Sequence, residues 1–275
     1  MLKQLINGEE SPLQDCHPGL GPGSKAPSLK TRFQIKSGMT IHSFIFHGFS
    51  VFTTFLSFDK KPFFLQEHLN RLQVHARELG LNYPGHGAFL SDLNILLPLD
   101  RLLRIRLSVG PNLRIAEATS YILPPQDYYT QGVKAICTQI QVHPQLAHLK
   151  TGNYLPYLMA KQKAEQENAF EGLLIDHNQH IVDGSRNSPL LYQNNTLTIC
   201  QGGLDGITRN MVVKKAIELG IQIKHQYVKA SQLHGQLLLA GSGIGLVPVG
   251  TPCDQNIANL VRIFSPRRQA LSNLV

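Results

Sequence analysis

The sequence lacks tryptophan, is poor in cysteine and contains no long apolar run. Its four cysteines stand at positions 16, 137, 200 and 253, and no two have the spacing of a metal-binding or redox motif. The first ten residues have no apolar secretory core. The longest weakly polar stretch, residues 237–250, is too short to span a bilayer. These absences predict a soluble cytoplasmic protein with reduced thiols, no metal site and no membrane partner.

The chain carries a basic surplus without a basic cluster. Its 26 Lys and Arg residues outnumber 18 Asp and Glu residues, for a formal net charge of +8. No basic run alternates with the aromatic residues on which single-stranded nucleic acid stacks. The scattered distribution of the basic residues therefore argues against a nucleic-acid partner, and the positive surplus suits a small anionic ligand. The densest basic groups are the pairs Lys60-Lys61, Lys214-Lys215 and Arg267-Arg268.

Length and composition predict a globular chain. With 275 residues, 42% of them hydrophobic and 16% charged, it is long enough for one large or two modest domains. Predicted strands and helices mix without strict alternation, which favours an α+β fold over a doubly wound sheet. The Pro-Pro-Gln-Asp stretch from Pro124 marks a predicted boundary between a small N-terminal α/β domain, residues 1–124, and a larger C-terminal domain, residues 125–275.

Hydrophobic periodicity and turn residues predict the individual elements. The clearest helix spans residues 66–80, where leucines recur at helical spacing and Gly80 supplies a stop. A stretch rich in glycine and proline, residues 17–32, is predicted as a loop. In the first half we predict strands at 2–7, at two places within 41–58 around a turn at His47-Gly48, at 102–109 and at 113–122. In the second half we predict helices at 154–168 and 207–219 and strands at 133–142, 172–176, 189–192, 196–200, 222–228, 236–240 and 245–249.

Four segments carry distinctive motifs in a fixed order. They are FLQEHLNRLQVHARELGL at 64–81, HLKTGNYLPYLMAKQKAEQENAFEGLLID at 148–176, IVDGSRNSPLLY at 181–192, and GGLDGITRNMVVKKAIELGI at 202–221 with LLAGSGIGLVPV at 238–249. Together they resemble the class IV aminotransferase family, and the resemblance covers most of residues 44–250. It implies the two-domain architecture of fold-type IV pyridoxal-phosphate enzymes, with the cofactor between a small N-terminal domain and a larger mixed β domain. It also implies a homodimer and a small-molecule carboxylate substrate.

The resemblance assigns the cofactor residues one by one. Lys150 is expected to hold pyridoxal 5'-phosphate as a Schiff base, because a lysine amine forms that linkage and then serves as a mobile acid or base. Asp183 stands where the family places the Glu that keeps the pyridine nitrogen protonated. Residues 206–208 open a predicted helix, whose free amides suit a phosphate group. The expected phosphate ligands are Arg71, Gly206, Ile207, Thr208 and Ser242.

The departures from the family pattern concern the substrate side. Where the family commonly shows Tyr-Gly-Asp-Gly-Val-Phe-Glu-Thr, residues 47–54 read HGFSVFTT, so Thr53 replaces Glu. The substrate-carboxylate arginine of many relatives is Val109 here. Arg104 and Arg106 lie on the polar face of the predicted strand and either substitute for it or form an exposed basic face. The expected catalytic residues are Lys150, Asp183 and Thr53, and the expected substrate residues are Arg106, Arg104 and His47.

Two reactions of the family compete for this chain. The segment Phe52-Thr53-Thr54 is similar to that of some 4-amino-4-deoxychorismate lyases, which release pyruvate and 4-aminobenzoate for folate synthesis, and this favours the lyase. The alternative is an aminotransferase that acts on branched-chain or D-amino acids with 2-oxoglutarate. A third hypothesis, a cofactor-binding protein of little activity, is suggested by the departures. The joint presence of the expected cofactor residues opposes it: Lys150, Arg71, Thr208 and Ser242.

Overall fold

The computed structural model describes residues 2–10, 43–44 and 47–266 of the chain. The predicted loop at 17–32 lies outside the described residues, as do Cys16 and the Arg267-Arg268 pair. Cys137, Cys200 and Cys253 are free thiols. Within the described ranges, no helix combines the length and apolarity that crossing a membrane requires.

The first half of the chain forms a six-stranded antiparallel sheet with two helices. The strand order is β2-β1-β6-β5-β3-β4. Apolar side chains from both helices and from the sheet share one core. The elements are β1 (Leu2–Ile6), β2 (Glu9–Glu10), β3 (Val51–Phe58), β4 (Lys61–Pro62), α1 (Leu65–Glu78), α2 (His86–Leu96), a 3-10 turn (Leu97–Leu99), β5 (Leu102–Gly110) and β6 (Leu113–Ser120).

The two faces of β5 show how this sheet orients its polar residues. Leu103, Ile105 and Leu107 are almost fully buried against the helices, as their alternation predicts. Arg104 and Arg106 therefore lie on the opposite face, away from that core. Helix α1 ends as predicted near Gly80, whose φ of +67° favours glycine.

One prediction in the first half is wrong, and helix α2 was missed together with the two-residue strands β2 and β4. Residues 43–44 are helical and β3 begins only at Val51, so the first of the two strands predicted within 41–58 is not formed by the residues described there. Helix α2 was not predicted, although Phe89, Leu93 and Leu96 recur at helical spacing and are almost fully buried.

The second half forms two mixed sheets surrounded by helices. One sheet has the order β12-β11-β10-β14-β15 and the other β13-β9-β8-β7, and each contains one parallel pair. The α+β class is therefore confirmed. The elements are α3 (Asp127–Thr130), β7 (Ala135–Gln141), α4 (Pro144–Ala147), α5 (Leu155–Gln166), β8 (Glu171–Ile175), β9 (His180–Gly184), β10 (Ser188–Gln193), β11 (Thr196–Cys200), α6 (Ile207–Glu218), β12 (Gln222–Gln226), β13 (Val228–Lys229), a 3-10 turn (Ala230–Gln232), β14 (Gln236–Gly241), β15 (Gly245–Pro248) and α7 (Gln255–Phe264).

Strand β9 and helix α7 were missing from the prediction of the second half, as were the four-residue helices α3 and α4. Strand β9 carries Asp183, which the sequence alone would also allow as a turn residue. Helix α7 begins at an Asp254 cap, whose carboxylate accepts from the Ile257 amide at 3.0 Å. The strands of the first sheet all precede residue 124 and those of the other two sheets all follow it. The domain boundary at that residue stays a prediction.

Candidate active site

A cavity of about 430 Å³ brings most of the predicted site residues together. Its walls come from β3, β5 and α1 of the first half and from the start of α6 and the loop after β14 of the second. Phe52, Tyr121 and Tyr154 contribute aromatic surface. The predicted site residues that line it are Arg71, Arg104, Arg106, Lys150, Gly206, Ile207, Thr208 and Ser242.

Lys150 is held by its backbone and presents its amine to the cavity. Its carbonyl accepts from the Phe52 amide at 2.9 Å, and its own amide donates to His75 Nδ1 at 3.1 Å. The amine donates to the Tyr154 hydroxyl at 2.9 Å. Burial, and then the positive charge of Arg71, lower the pKa of Lys150. A larger fraction of the Lys150 amine is therefore neutral, and the neutral amine is the form that attacks a carbonyl.

Tyr154 is a site residue that the sequence analysis quoted without giving it a role. Its ring stacks on Tyr157 with centroids 4.2 Å apart and meets the Phe52 ring edge-on at 5.2 Å. Burial raises the pKa of its hydroxyl, which therefore stays protonated at neutral pH. The hydroxyl can accept from the Lys150 amine and still donate to a bound group. The signal in the sequence was its place in the lysine segment.

Asp183 lies on β9, 4% exposed, and is not among the cavity-lining residues. Its Oδ1 accepts from the Gly184 amide at 3.0 Å. Burial raises its pKa, while the charge of Lys150 opposes that shift. A buried carboxylate is costly without a cationic partner, so this position suits a protonated ring nitrogen. Gly203 packs closely against this part of β9, because a Cβ at Gly203 would stand 1.9 Å from the Val182 carbonyl oxygen and 3.3 Å from the Asp183 Cβ.

An anion-binding cup lies at the start of α6. Gly206 caps the helix without a side-chain hydrogen bond, so the first amides of α6 keep their donors available. The hydroxyls of Thr208 and Ser242 stand 3.5 Å apart. The Arg71 guanidinium donates to the Asp205 carbonyl at 3.3 Å, and its buried Nε has no partner among the described residues. A guanidinium, two hydroxyls and helix amides therefore converge, as a phosphate dianion requires.

Thr53 and His47, like Asp183, are not among the residues that line the cavity. Thr53 is fully buried, and its hydroxyl contacts Arg71 and His68, while its neighbours Phe52 and Thr54 line the cavity. The Thr53 hydroxyl is therefore engaged by side chains behind the cavity wall, and the catalytic role expected of Thr53 stays a prediction. His47 is exposed and is not among the cavity-lining residues, and its expected role in substrate binding stays a prediction.

Arginines of the substrate side form a basic wall. Arg106 stacks on the Phe52 ring at 3.9 Å from its centroid, and its Nε lies 3.9 Å from a Glu117 carboxylate oxygen. Arg104 is close enough that its charge lowers the pKa of Arg106, after the larger effect of burial. The sequence analysis missed Arg186, which lines the same cavity and donates to the Phe170 carbonyl at 2.8 Å. Three guanidinium groups therefore line the cavity in addition to Arg71.

The family model for amino-transferase class IV matches residues 50–251. The chain belongs to the class IV aminotransferase family. Its fold is that of fold-type IV enzymes, and its cofactor is pyridoxal 5'-phosphate. A crystal structure provisionally assigned as a 4-amino-4-deoxychorismate lyase is 47% identical, with a TM-score of 0.80, and the match covers 82% of this chain and 93% of that chain.

Two curated proteins of the family show weaker similarity. The aminodeoxychorismate lyase of Bacillus subtilis is 24% identical over 66% of this chain and 69% of that protein. A protein of Methanocaldococcus jannaschii, provisionally named as a branched-chain-amino-acid aminotransferase, is 25% identical over 74% of this chain and 79% of that protein. The class IV enzyme therefore has relatives of both reaction types.

The residues present fit the cofactor. When bound, pyridoxal 5'-phosphate supplies an aldehyde for covalent attachment and a protonated ring that withdraws electrons from the substrate. Lys150 would hold the aldehyde carbon, and Asp183 would hold the proton at the ring nitrogen. The cup formed by Arg71, Thr208 and Ser242 would hold the phosphate, since its buried Arg71 Nε lacks a partner among the described residues. Lys150 and Tyr154, which share a hydrogen bond of 2.9 Å, would hold or move a proton during the reaction.

Removing Arg71 should weaken cofactor retention more than removing either hydroxyl of the cup. A charge-assisted hydrogen bond contributes about 1.5–3 kcal/mol and a neutral one about 0.5–1.5 kcal/mol. Arg71→Ala should therefore raise the dissociation constant of pyridoxal 5'-phosphate about 10- to 100-fold, and Thr208→Ala or Ser242→Ala about 10-fold or less. Arg71→Lys should restore binding only partly. Equal losses for Arg71→Ala and Thr208→Ala, measured by absorbance titration, would contradict the cup.

Two buried histidines of α1 should make the protein sensitive to mild acid. Burial lowers the pKa of His75 from 6.5 to about 4, and it lowers the pKa of His68 well below 6.5. Below pH 6.5 the unfolded chain takes up protons that the folded chain refuses, so the free energy of unfolding should fall as the pH drops towards 4. Urea midpoints at pH 7.5 and 5 should show this loss. His75→Asn, which keeps an acceptor but does not titrate, should show a smaller one.

Proposed function

We propose that this protein is a 4-amino-4-deoxychorismate lyase that forms 4-aminobenzoate and pyruvate. The observation that carries the proposal is the 47% identity to a structure provisionally assigned to that activity, across 93% of that chain. The Bacillus subtilis lyase supports it at lower identity. The cavity is consistent with the substrate, since this substrate carries two carboxylates and the wall offers three arginines beyond Arg71.

The arrangement of the arginines suits a dicarboxylate. Arg104 and Arg106 project from the polar face of β5, whereas Arg186 follows β9 in the second half of the chain. Burial raises the pKa of Tyr121, and the charges of Arg104 and Arg186 oppose that shift, so both guanidinium groups lie within electrostatic reach of its hydroxyl. Glu117 partly balances Arg106, but Arg104 and Arg186 form no ion pair with the acids of the described residues. Guanidinium groups that are not paired with an acidic side chain attract carboxylates strongly.

The reaction needs only protons to be moved by the chain. The two products together contain every atom of the substrate, so no second substrate, oxidant or reductant is required. The Lys150 amine would take a proton from the ring carbon that bears the amino group. A proton returned to the departing three-carbon unit makes pyruvate, and the ring becomes aromatic. The depressed pKa of Lys150 suits a group that both accepts and releases a proton near neutral pH.

The aminotransferase is the second candidate, favoured by curated relatives with that name, including the Methanocaldococcus jannaschii protein. Transamination requires a 2-oxo acid that accepts the amino group. The solved branched-chain enzyme of Escherichia coli is 20% identical to this chain, with a TM-score of 0.75, and supports the fold alone.

A product assay separates the two reactions. The purified holoenzyme should convert 4-amino-4-deoxychorismate to equal amounts of 4-aminobenzoate and pyruvate with no 2-oxo acid present. Leucine or D-alanine with 2-oxoglutarate should yield no glutamate above the rate of the Lys150→Ala control. Arg106→Gln should raise KM more than it lowers kcat if Arg106 binds a carboxylate. Glutamate without 4-aminobenzoate would replace the lyase with the aminotransferase.

We also propose the homodimer and the cytoplasmic location that the family resemblance implies. Light scattering of the holoenzyme should give twice the chain mass of 30.6 kDa. A mass of one chain at micromolar concentration would remove the homodimer from the proposal.

A further inference from the structure

The orientation of Arg71 depends on groups that do not touch the cavity. Its Nη2 donates to the Thr53 hydroxyl oxygen at 3.0 Å, and its Nη1 donates to the Asp205 carbonyl at 3.3 Å. The Asp205 carboxylate pairs with Arg209 instead, at 2.5 Å. Arg71 therefore has neutral partners on two nitrogens and a buried Nε without a partner among the described residues. Its charge is left available for an anion.

The Thr53 hydroxyl joins Arg71 to His68. Its oxygen lies 2.6 Å from His68 Nδ1. A guanidinium can only donate, so the Thr53 oxygen accepts from Arg71 Nη2. The direction of the second hydrogen bond follows the tautomer of His68, whose buried Nε2 has no partner among the described residues. Burial, and then the charges of Arg71 and Lys150, lower the pKa of His68, so its neutral ring adds no positive charge beside Arg71.

The two residues that contact the Thr53 hydroxyl lie on the same helix, α1. His68 and Arg71 are three residues apart on α1 and lie on the same face of the helix. Thr53 faces them from β3, and the His68 ring packs beside Phe55 with centroids 5.1 Å apart. A small cavity is bordered by His68, Thr208 and Ser242, so His68 also lies directly behind the hydroxyls of the cup.

We propose that Thr53 and His68 are positioning residues of the phosphate site. They hold the Arg71 guanidinium in the orientation that leaves its free donors facing the phosphate, without contacting the substrate themselves. The proposal depends on the cofactor and not on the lyase reaction. If the positioning role fails, the proposed lyase activity is therefore unaffected. If the lyase activity fails, the positioning role is unaffected.

The experiment compares Thr53→Val with Thr53→Ser. Valine keeps the shape of threonine but lacks the oxygen, whereas serine keeps the oxygen. Thr53→Val should raise the dissociation constant of pyridoxal 5'-phosphate about tenfold, and Thr53→Ser should stay within about twofold of the native protein. His68→Leu should resemble Thr53→Val. Native affinity in Thr53→Val would overturn the proposal.

A double-mutant cycle separates positioning from general damage to the fold. In an Arg71→Ala background, Thr53→Val should change the dissociation constant by less than about twofold, because the residue that it positions is gone. The affinity for pyridoxal, which lacks the phosphate, should be the same in Thr53→Val and the native protein. A tenfold loss that persists in the Arg71→Ala background, or that extends to pyridoxal, would refute a role in orienting Arg71.

Discussion

Replacing Lys150 with Ala should leave a folded protein that still binds pyridoxal 5'-phosphate but can no longer be joined to it by borohydride. Turnover should fall by at least about 10³-fold, because the chain loses both its attachment point and its proton carrier. Mass spectrometry after reduction measures the attachment, and the product assay measures turnover. Lys150→Arg is the matched control: it keeps the charge but lacks the nucleophile, so it should fail in the same way.

No other lysine should replace Lys150. Lys161 pairs with Glu165, and Lys163 donates to the Thr138 carbonyl at 3.1 Å; neither lines the cavity. The native protein should therefore carry the reduced cofactor on a single peptide that contains Lys150. Attachment at another lysine, or attachment that survives in Lys150→Ala, would remove the central assignment of the site.

Replacing Asp183 with Asn should cost activity far more than cofactor affinity. Asn has the same shape but no charge, so the ring nitrogen would lose the group that keeps it protonated while the phosphate cup stays intact. Turnover should fall about 10²- to 10³-fold, the range seen when one preorganised electrostatic contact is lost. The dissociation constant of pyridoxal 5'-phosphate should change by about tenfold or less, the cost of one hydrogen bond.

The matched control for Asp183 is another buried acid of the same sheet region. Asp176, 8% exposed, accepts from the ring of His180 at 2.9 Å, whereas the charge of Lys150 acts on Asp183. Asp176→Asn should leave turnover close to the native value. Equal activity of Asp183→Asn and the native protein would place Asp183 outside the mechanism.

Periodicity predicts the elements that pack one face on a core. The pattern of β5 and the leucines of α1 correctly predicted both elements. Helix α7 has the same kind of signal, since Ile257, Leu260 and Val261 are buried at helical spacing, so periodicity is sufficient to predict this helix too. Strand β9 is short and buried on both sides, so it shows no alternation from which a strand could be predicted.

The sequence motifs predict which residues form the site, but they do not predict the contacts that hold those residues in place. Lys150, Arg71 and Thr208 lie in segments that resemble the family, and the structure places them in one cavity. The contact of His75 with the Lys150 amide joins residues 75 positions apart, and the contact of Thr53 with His68 joins a strand to a helix. Neither contact can be predicted from a local sequence pattern, because each depends on how α1 packs against the sheet.

Helix α1 also sets a limit on which changes this chain tolerates. Arg71 holds the anion cup and His75 holds the Lys150 backbone, so a single turn of α1 fixes the spacing between the two ends of the cofactor site. An inserted residue between them would rotate His75 by about 100° and shift it by about 1.5 Å. Val74 within that turn is exposed, so replacing it with another helix-forming residue should leave the site intact. Sequence drift along this turn is therefore permitted on its outer face, whereas a change in its length is not.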